Sequence, residues 1–195
     1  PVHRQSDVAW VNGGNNDFGW LPDNGTMWFL SEETGYSHLY TMNGANAVRA
    51  LTSGKWEATR PQWTSDGATA YMLCNPKNPG TYEVCAVSGK DGVLREATSL
   101  AGVEHFTLSP DQRKLLVGYS TSYMPIQLAT VPASGGAAVK LTDTRTADFK
   151  ARTWIEPQYV AVPSTKGAAP IWAKLYRPAT LEPGKKYPIV LFVHG

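Results

Sequence analysis

Few side chains in this chain combine the type and the neighbours that chemistry needs. The adjacent carboxylates Glu32 and Glu33 could hold an ammonium group by charge-assisted hydrogen bonds. They fall between two strand-like runs, 27–30 and 38–42, where a solvated hairpin turn is the expected reading. His38 and His105 each stand alone in strand-like contexts and read as structural. Cys74 and Cys85 flank Asn75-Pro-Lys-Asn-Pro-Gly80, and a turn centred near Pro79-Gly80 would set them face to face across a hairpin. Two readings stay open for them: small buried hydrophobes, or a cross-strand disulfide that would imply an oxidising compartment. No second Cys or His pair accompanies them, so the spacing does not suit zinc. The last candidates are His194 and Gly195, which come after the five consecutive apolar residues Ile189 to Val193. Such a run, free of polar alternation, predicts a strand buried on both faces, as in the parallel sheet of an α/β protein.

The elements upstream are of a different kind. Trp20-Leu-Pro-Asp23-Asn-Gly25, Trp63-Thr-Ser-Asp66-Gly67 and Leu108-Ser-Pro-Asp111-Gln112 start at spacings of 43 and 45 residues. In Asp23-Asn-Gly25 and Asp66-Gly67 the carboxylate should accept from nearby backbone N–H groups while Gly takes a positive φ. Strand-like runs succeed each turn at 26–30, 68–73 and 114–117. Third strands are expected at 38–42, 82–87 and 126–131. A more polar fourth is expected at 49–52 and 139–142, with a less clear counterpart near 94–98. Four short strands per repeat of this length indicate a β-propeller blade, with the aromatic residues Trp20 and Trp63 placed to pack between blades.

Three blades do not close a ring, so further blades are expected before Pro1. The chain alone should expose blade faces and self-associate, and a monodisperse monomer in light scattering would count against that. Asp7 to Val11 reads as a strand, 12–16 as a loop and 143–152 as a polar crossover. A hairpin is expected at 159–162 and 171–176. The expected organisation is therefore residues 1–152 as the C-terminal part of a β-propeller. Residues 153–195 would then be a linker and the first strands of a truncated α/β-hydrolase domain. The fold class is mainly β: a partial propeller of about three four-stranded blades leading into that hydrolase start.

Composition excludes several classes. A net charge of +2 and no Lys/Arg cluster beyond Lys185-Lys186 argue against nucleic acid. No apolar run approaches the roughly 20 residues of a membrane span.

Ser31-Glu-Glu-Thr-Gly-Tyr-Ser-His-Leu-Tyr40, Leu51-Thr-Ser-Gly-Lys-Trp-Glu57 and Lys185-Lys-Tyr-Pro-Ile-Val-Leu-Phe-Val-His-Gly195 occur in that order. Together they make the chain resemble the prolyl oligopeptidase family of serine peptidases, most closely its dipeptidyl-peptidase-IV-like branch. The resemblance implies hydrolysis of short peptides, with a propeller gating access to a Ser-Asp-His triad. It implies no metal or organic cofactor, and it favours a periplasmic or secreted location. The family's nucleophile sits on Gly-x-Ser-x-Gly, which does not occur in these residues, so the fragment alone should be inactive. The resemblance also implies an oxyanion-hole loop at His194 and Gly195, where a backbone N–H would donate. Dipeptidyl-peptidase-IV-like members carry Tyr at the place of His194. The family's amine-binding glutamate pair lies earlier than Glu32-Glu33, which keeps those two as a turn. The alternatives are a non-enzymatic propeller of the TolB or WD-repeat kind, which shares the Asp turns, and an enzyme of the same architecture that has lost its nucleophile.

Overall fold

The three Asp turns reverse the chain, and each opens an antiparallel meander. The computed structural model describes residues 3–9, 11, 17–44, 47–167 and 169–193. Blade one contains β1 (Phe18–Trp20), β2 (Thr26–Ser31), β3 (His38–Asn43) and β4 (Ala47–Ala50). Blade two contains β5 (Ala58–Trp63), β6 (Thr69–Cys74), β7 (Glu83–Ser88) and β8 (Leu94–Glu96). Blade three contains β9 (Val103–Leu108), β10 (Lys114–Thr121), β11 (Met124–Pro132) and β12 (Val139–Lys140). Each blade is a four-stranded sheet with its strands paired in chain order. The outermost strand of one blade leads to the innermost of the next, as in a propeller.

The turns work through their carboxylates. Asp23 accepts from the Gly25 and Thr26 amides and the Thr26 hydroxyl, at 3.0, 2.8 and 2.6 Å. Asp66 and Asp111 accept from the Thr64 and Ser109 hydroxyls, each at 2.6 Å, and from the Ala68 and Arg113 amides. The left-handed residue is the one after Asp in every repeat: Asn24 (φ 52°), Gly67 (φ 69°) and Gln112 (φ 59°). Glycine therefore supplies the positive φ in only one of the three turns. Asn24 tolerates that region, and the Gln112 side chain is held by the Ser65 amide at 3.1 Å.

Strand side chains alternate between two faces, so each blade can be sandwiched. One face of blade two, with Ala70, Met72 and Val87, packs on Leu30, Leu39 and Leu51 of blade one. Its other face, with Tyr71, Leu73 and Val84, packs on Phe106, Leu115 and Val117 of blade three. Gln62 ties the innermost strands of blades two and three together: its Nε2 donates to the Phe106 carbonyl and its Oε1 accepts from the Leu108 amide, both at 3.1 Å. Trp63 packs into the core between blades one and two. Trp20 stays 62% exposed, because its face of blade one carries no neighbouring blade among the described residues.

Cys74 and Cys85 are joined by a disulfide, with Cα atoms 5.9 Å apart. They are not directly opposite, as the expected turn centre would have placed them: Cys74 pairs with Glu83 and Cys85 with Met72, so the bridge runs diagonally on one face. Two other expectations are corrected, and the crossover is given its local structure. Asp7 to Ala9 form a bend closed by the Asp7 carboxylate on the Ala9 amide (2.7 Å), not a strand, and the Asn12 to Asn16 loop lies outside the described residues. The crossover after Thr142 contains a short helix α1 (Ala147–Ala151), capped by the Thr146 side chain. Ile189 to Val193 form no hydrogen-bonded strand and are 76–94% exposed, because a strand exists only against a neighbour and no described strand lies beside this run. The hairpin of β13 (Gln158–Val162) and β14 (Ile171–Leu175) does form, in the register Val162 to Ile171.

Candidate functional site

The residues that could do chemistry are dispersed. The His38 ring is fully buried, with Nδ1 3.0 Å from the Thr52 hydroxyl and Nε2 2.9 Å from the Gly54 carbonyl. A hydroxyl beside an imidazole has the outline of a nucleophile and base. Here neither can reach a substrate, since Thr52 is also buried and its oxygen accepts from the Leu39 amide at 2.9 Å. His105 lies on the open face of blade three, its ring against Gly118. Glu33 sits in the β2–β3 turn within reach of the Ser31 hydroxyl (3.4 Å) and His3 (3.7 Å), with Glu32 half-buried beside it. His194 and Gly195 lie outside the described residues. Among the described residues no group of three or more His, Cys, Asp or Glu could hold a metal ion.

The buried polar groups obey a repeat that the sequence hides. In each blade a threonine after the fourth strand accepts from an amide on the third: Thr52 from Leu39, Thr98 from Val84, Thr142 from Leu128, at 2.8–2.9 Å. The residue before that amide is a buried polar side chain bonded to the same threonine: His38, Glu83 and Gln127 respectively. Glu83 accepts from the Thr98 hydroxyl (2.6 Å) and from the Leu100 (2.8 Å) and Ala101 (2.6 Å) amides. Burying a carboxylate is tolerable only when its oxygens are so occupied. Glu57, between blades one and two, accepts from the Ser37 amide at 2.7 Å, and burial pushes its carboxyl above the ordinary range.

One concave feature that could hold a ligand lies between the blades and the hairpin. It is a cleft of about 350 Å³, with Glu104, Ser120, Ser122, Tyr123, Glu156 and Lys174 among its lining. Tyr159 anchors the hairpin there: its hydroxyl donates to the Gly80 carbonyl at 2.8 Å, and its ring lies so close that a Cβ on Gly80 would collide with Cε1. Lys174 donates to Ser122 at 3.0 Å, and the Ser120 hydroxyl donates to Glu104. The Thr121 hydroxyl on the cleft wall is buried without a partner. These groups can bind and orient a polar ligand. Sequence reasoning missed this cleft because its walls come from segments far apart in the chain.

Comparison with known proteins places this geometry. The family profile of the dipeptidyl peptidase IV (DPP IV) N-terminal region matches residues 1–126. Among solved structures, the chain is similar to Porphyromonas gingivalis dipeptidyl peptidase 4, with a TM-score of 0.68 at 20% identity over 84% of this chain and 24% of that one. It is similar to a puromycin hydrolase, with a TM-score of 0.65 at 17% identity over 83% of this chain and 25% of that one. It is also similar to a putative TolB from Agrobacterium tumefaciens, with a TM-score of 0.54 at 18% identity over 82% and 54%. At such identities the structural likeness speaks to fold, and the chain spans about a quarter of the length of the first two. With its family profile matched over well more than half of its residues, the chain belongs to the dipeptidyl peptidase IV (DPP IV) N-terminal region family.

Proposed function

We propose that this chain is the part of a serine peptidase where the propeller gives way to an α/β-hydrolase domain. Residues 1–152 are the last blades, and 153–195 are the linker and first hydrolase strands. The whole enzyme hydrolyses short peptides, and the propeller gates their access and shields the site from bulk water. The course of the chain after blade three carries this reading. The chain turns back through α1, and the β13–β14 hairpin seats on the loop ends of blades two and three. It then runs into five apolar residues that no described blade takes up. A propeller that only binds, as in the TolB alternative, has no use for such a segment. Ile189 to Val193 would be buried on both faces once the rest of the hydrolase sheet lies beside them.

In that enzyme the nucleophilic Ser attacks the scissile carbonyl, and the His accepts its proton while held by the Asp. All three come from sequence beyond this chain. The loop at His194 and Gly195 supplies a backbone N–H to the oxyanion, a donor whose loss costs roughly 2.7–4 kcal/mol in comparable sites. The test is active-site labelling with a fluorophosphonate. The full-length protein should be labelled at a Ser in a Gly-x-Ser-x-Gly elbow roughly a hundred residues past Gly195, while this chain is not. A full-length protein that lacks that elbow and resists labelling would leave the binding-propeller alternative standing.

A further inference from the structure

Two of the motifs singled out in the sequence, Ser31 to Tyr40 and Leu51 to Glu57, converge on one buried cluster around His38. We propose that His38 is an acid-sensitive latch on the 53–57 connection between blades one and two, released when its imidazole takes up a proton.

The hydrogen bonds close only around a neutral ring. The Gly54 carbonyl can only accept, so Nε2 carries the ring proton. Nδ1 is then a lone pair, and the Thr52 hydroxyl donates to it while its oxygen accepts from the Leu39 amide. A proton on Nδ1 sets two donors against the one Thr52 oxygen and leaves the hydroxyl hydrogen without a partner. It also places a full charge on a side chain with no exposed surface. Trp56 closes the cluster, its ring edge-on to His38 at 5.0 Å, packed on Gly54 and donating to the Ser53 carbonyl at 2.9 Å.

Glu57, from the connection itself, is the carboxylate that acts on His38, and Glu32 of the β2–β3 turn and Tyr82 of blade two act in turn on Glu57. Glu57 could offset an imidazolium only while ionised. Burial already pushes its carboxyl up, which favours its neutral form and weakens the offset it can provide. The equivalent positions in the other blades behave differently. Gln127 does not titrate, and Glu83 is a carboxylate whose oxygens are all engaged by donors. Of the three equivalent positions only the first carries an imidazole, so release is confined to the first blade of the three. The opening is local. It frees the connection and the bonds beside it, Leu51 N–H to the Leu39 carbonyl and Ala58 N–H to the Ser37 carbonyl.

The test is amide hydrogen exchange on the whole chain from about pH 7.5 to about pH 5, corrected for intrinsic rates, with the imidazole ¹⁵N shifts of His38 monitored in parallel. Protection of the Leu39, Leu51 and Ala58 amides should fall by roughly tenfold, the equivalent of one buried polar group left unpaired. The fall should share a midpoint with the His38 shifts, and the Leu128 amide in blade three should not change. His38→Gln, which copies blade three, should abolish the response. Protection that stays flat while the ring titrates, a loss that precedes any change in the ring, or an unchanged response in His38→Gln would each overturn the proposal. If His38→Gln does not fold, the two wild-type midpoints decide: coincidence supports the latch and separation refutes it.

Discussion

Glu83→Ala tests how much of blade two hangs on one buried carboxylate. Glu83 is 6% exposed, and its oxygens accept from the Thr98 hydroxyl and the Leu100 and Ala101 amides. Hydrogen bonds to a charged group contribute about 1.5–3 kcal/mol each, and a buried donor left without a partner costs about 1–3 kcal/mol. Thr98 is buried, so its hydroxyl loses most. Ala101 is exposed and recovers water, and Leu100 is intermediate. The expected loss for Glu83→Ala is roughly 3–5 kcal/mol, not three full bonds, because water repairs part of the damage. Glu83→Gln keeps the shape and one acceptor but sets an NH₂ group against a backbone donor, and should lose about half as much. With a urea slope of about 2 kcal/mol per molar, the Ala variant's midpoint should fall by more than about 1 M in urea unfolding measured by circular dichroism. A Glu83→Ala midpoint within error of wild type, or a Gln variant worse than Ala, would refute the view that this carboxylate organises the blade's outer edge.

The disulfide makes a separate demand: it spans 11 residues, and the chain-entropy estimate for such a loop is about 3 kcal/mol. The Cys74→Ala/Cys85→Ala double variant should lose that much in urea unfolding, and an unchanged midpoint would contradict the bridge. Hydroxyls of Thr26, Thr64 and Ser109 hold the Asp23, Asp66 and Asp111 carboxyls below the ordinary range. A depressed folded-state value means the turns' contribution is present above the unfolded carboxylate value and lost as pH falls through the folded ones. Stability should therefore decline below about pH 4 in thermal melts, and a flat or rising profile there would count against it. Glu57 has the opposite sign: its raised value makes stability fall as pH rises through its titration, and Glu57→Gln should remove that slope. Gly80→Val should evict Tyr159 and raise hydrogen exchange across β13 and β14 while the blades stay protected. Unchanged exchange in the hairpin would mean Gly80 is not its seat.

The features legible in the sequence were the local ones. The Asp turns repeat because a carboxylate and the amides it caps lie within a few residues, and the strands they launch alternate visibly. The fourth strand of blade two was harder to read, since Ala97 stands where the other blades have Leu51 and Leu141. The buried pairs His38–Thr52, Glu83–Thr98 and Gln127–Thr142 are separated by 14–15 residues and differ in chemistry, so no residue pattern announces them. Positive φ at Asn24 and Gln112 shows a turn geometry enforced by its capping bonds and not by residue type. The apolar run at 189–193 marks a strand-forming tendency, but pairing is a property of two segments, and among the described residues only one is present.

We propose that the end of this chain belongs to a second sheet and not to the repeat. Solving the structure of the full-length protein tests it most directly. Ile189 to Val193 are expected there as an inner strand of a mostly parallel sheet, flanked on both sides and covered by helices, with β13 and β14 leading into it. Finding the same residues hydrogen-bonded antiparallel within a four-stranded blade would contradict the claim.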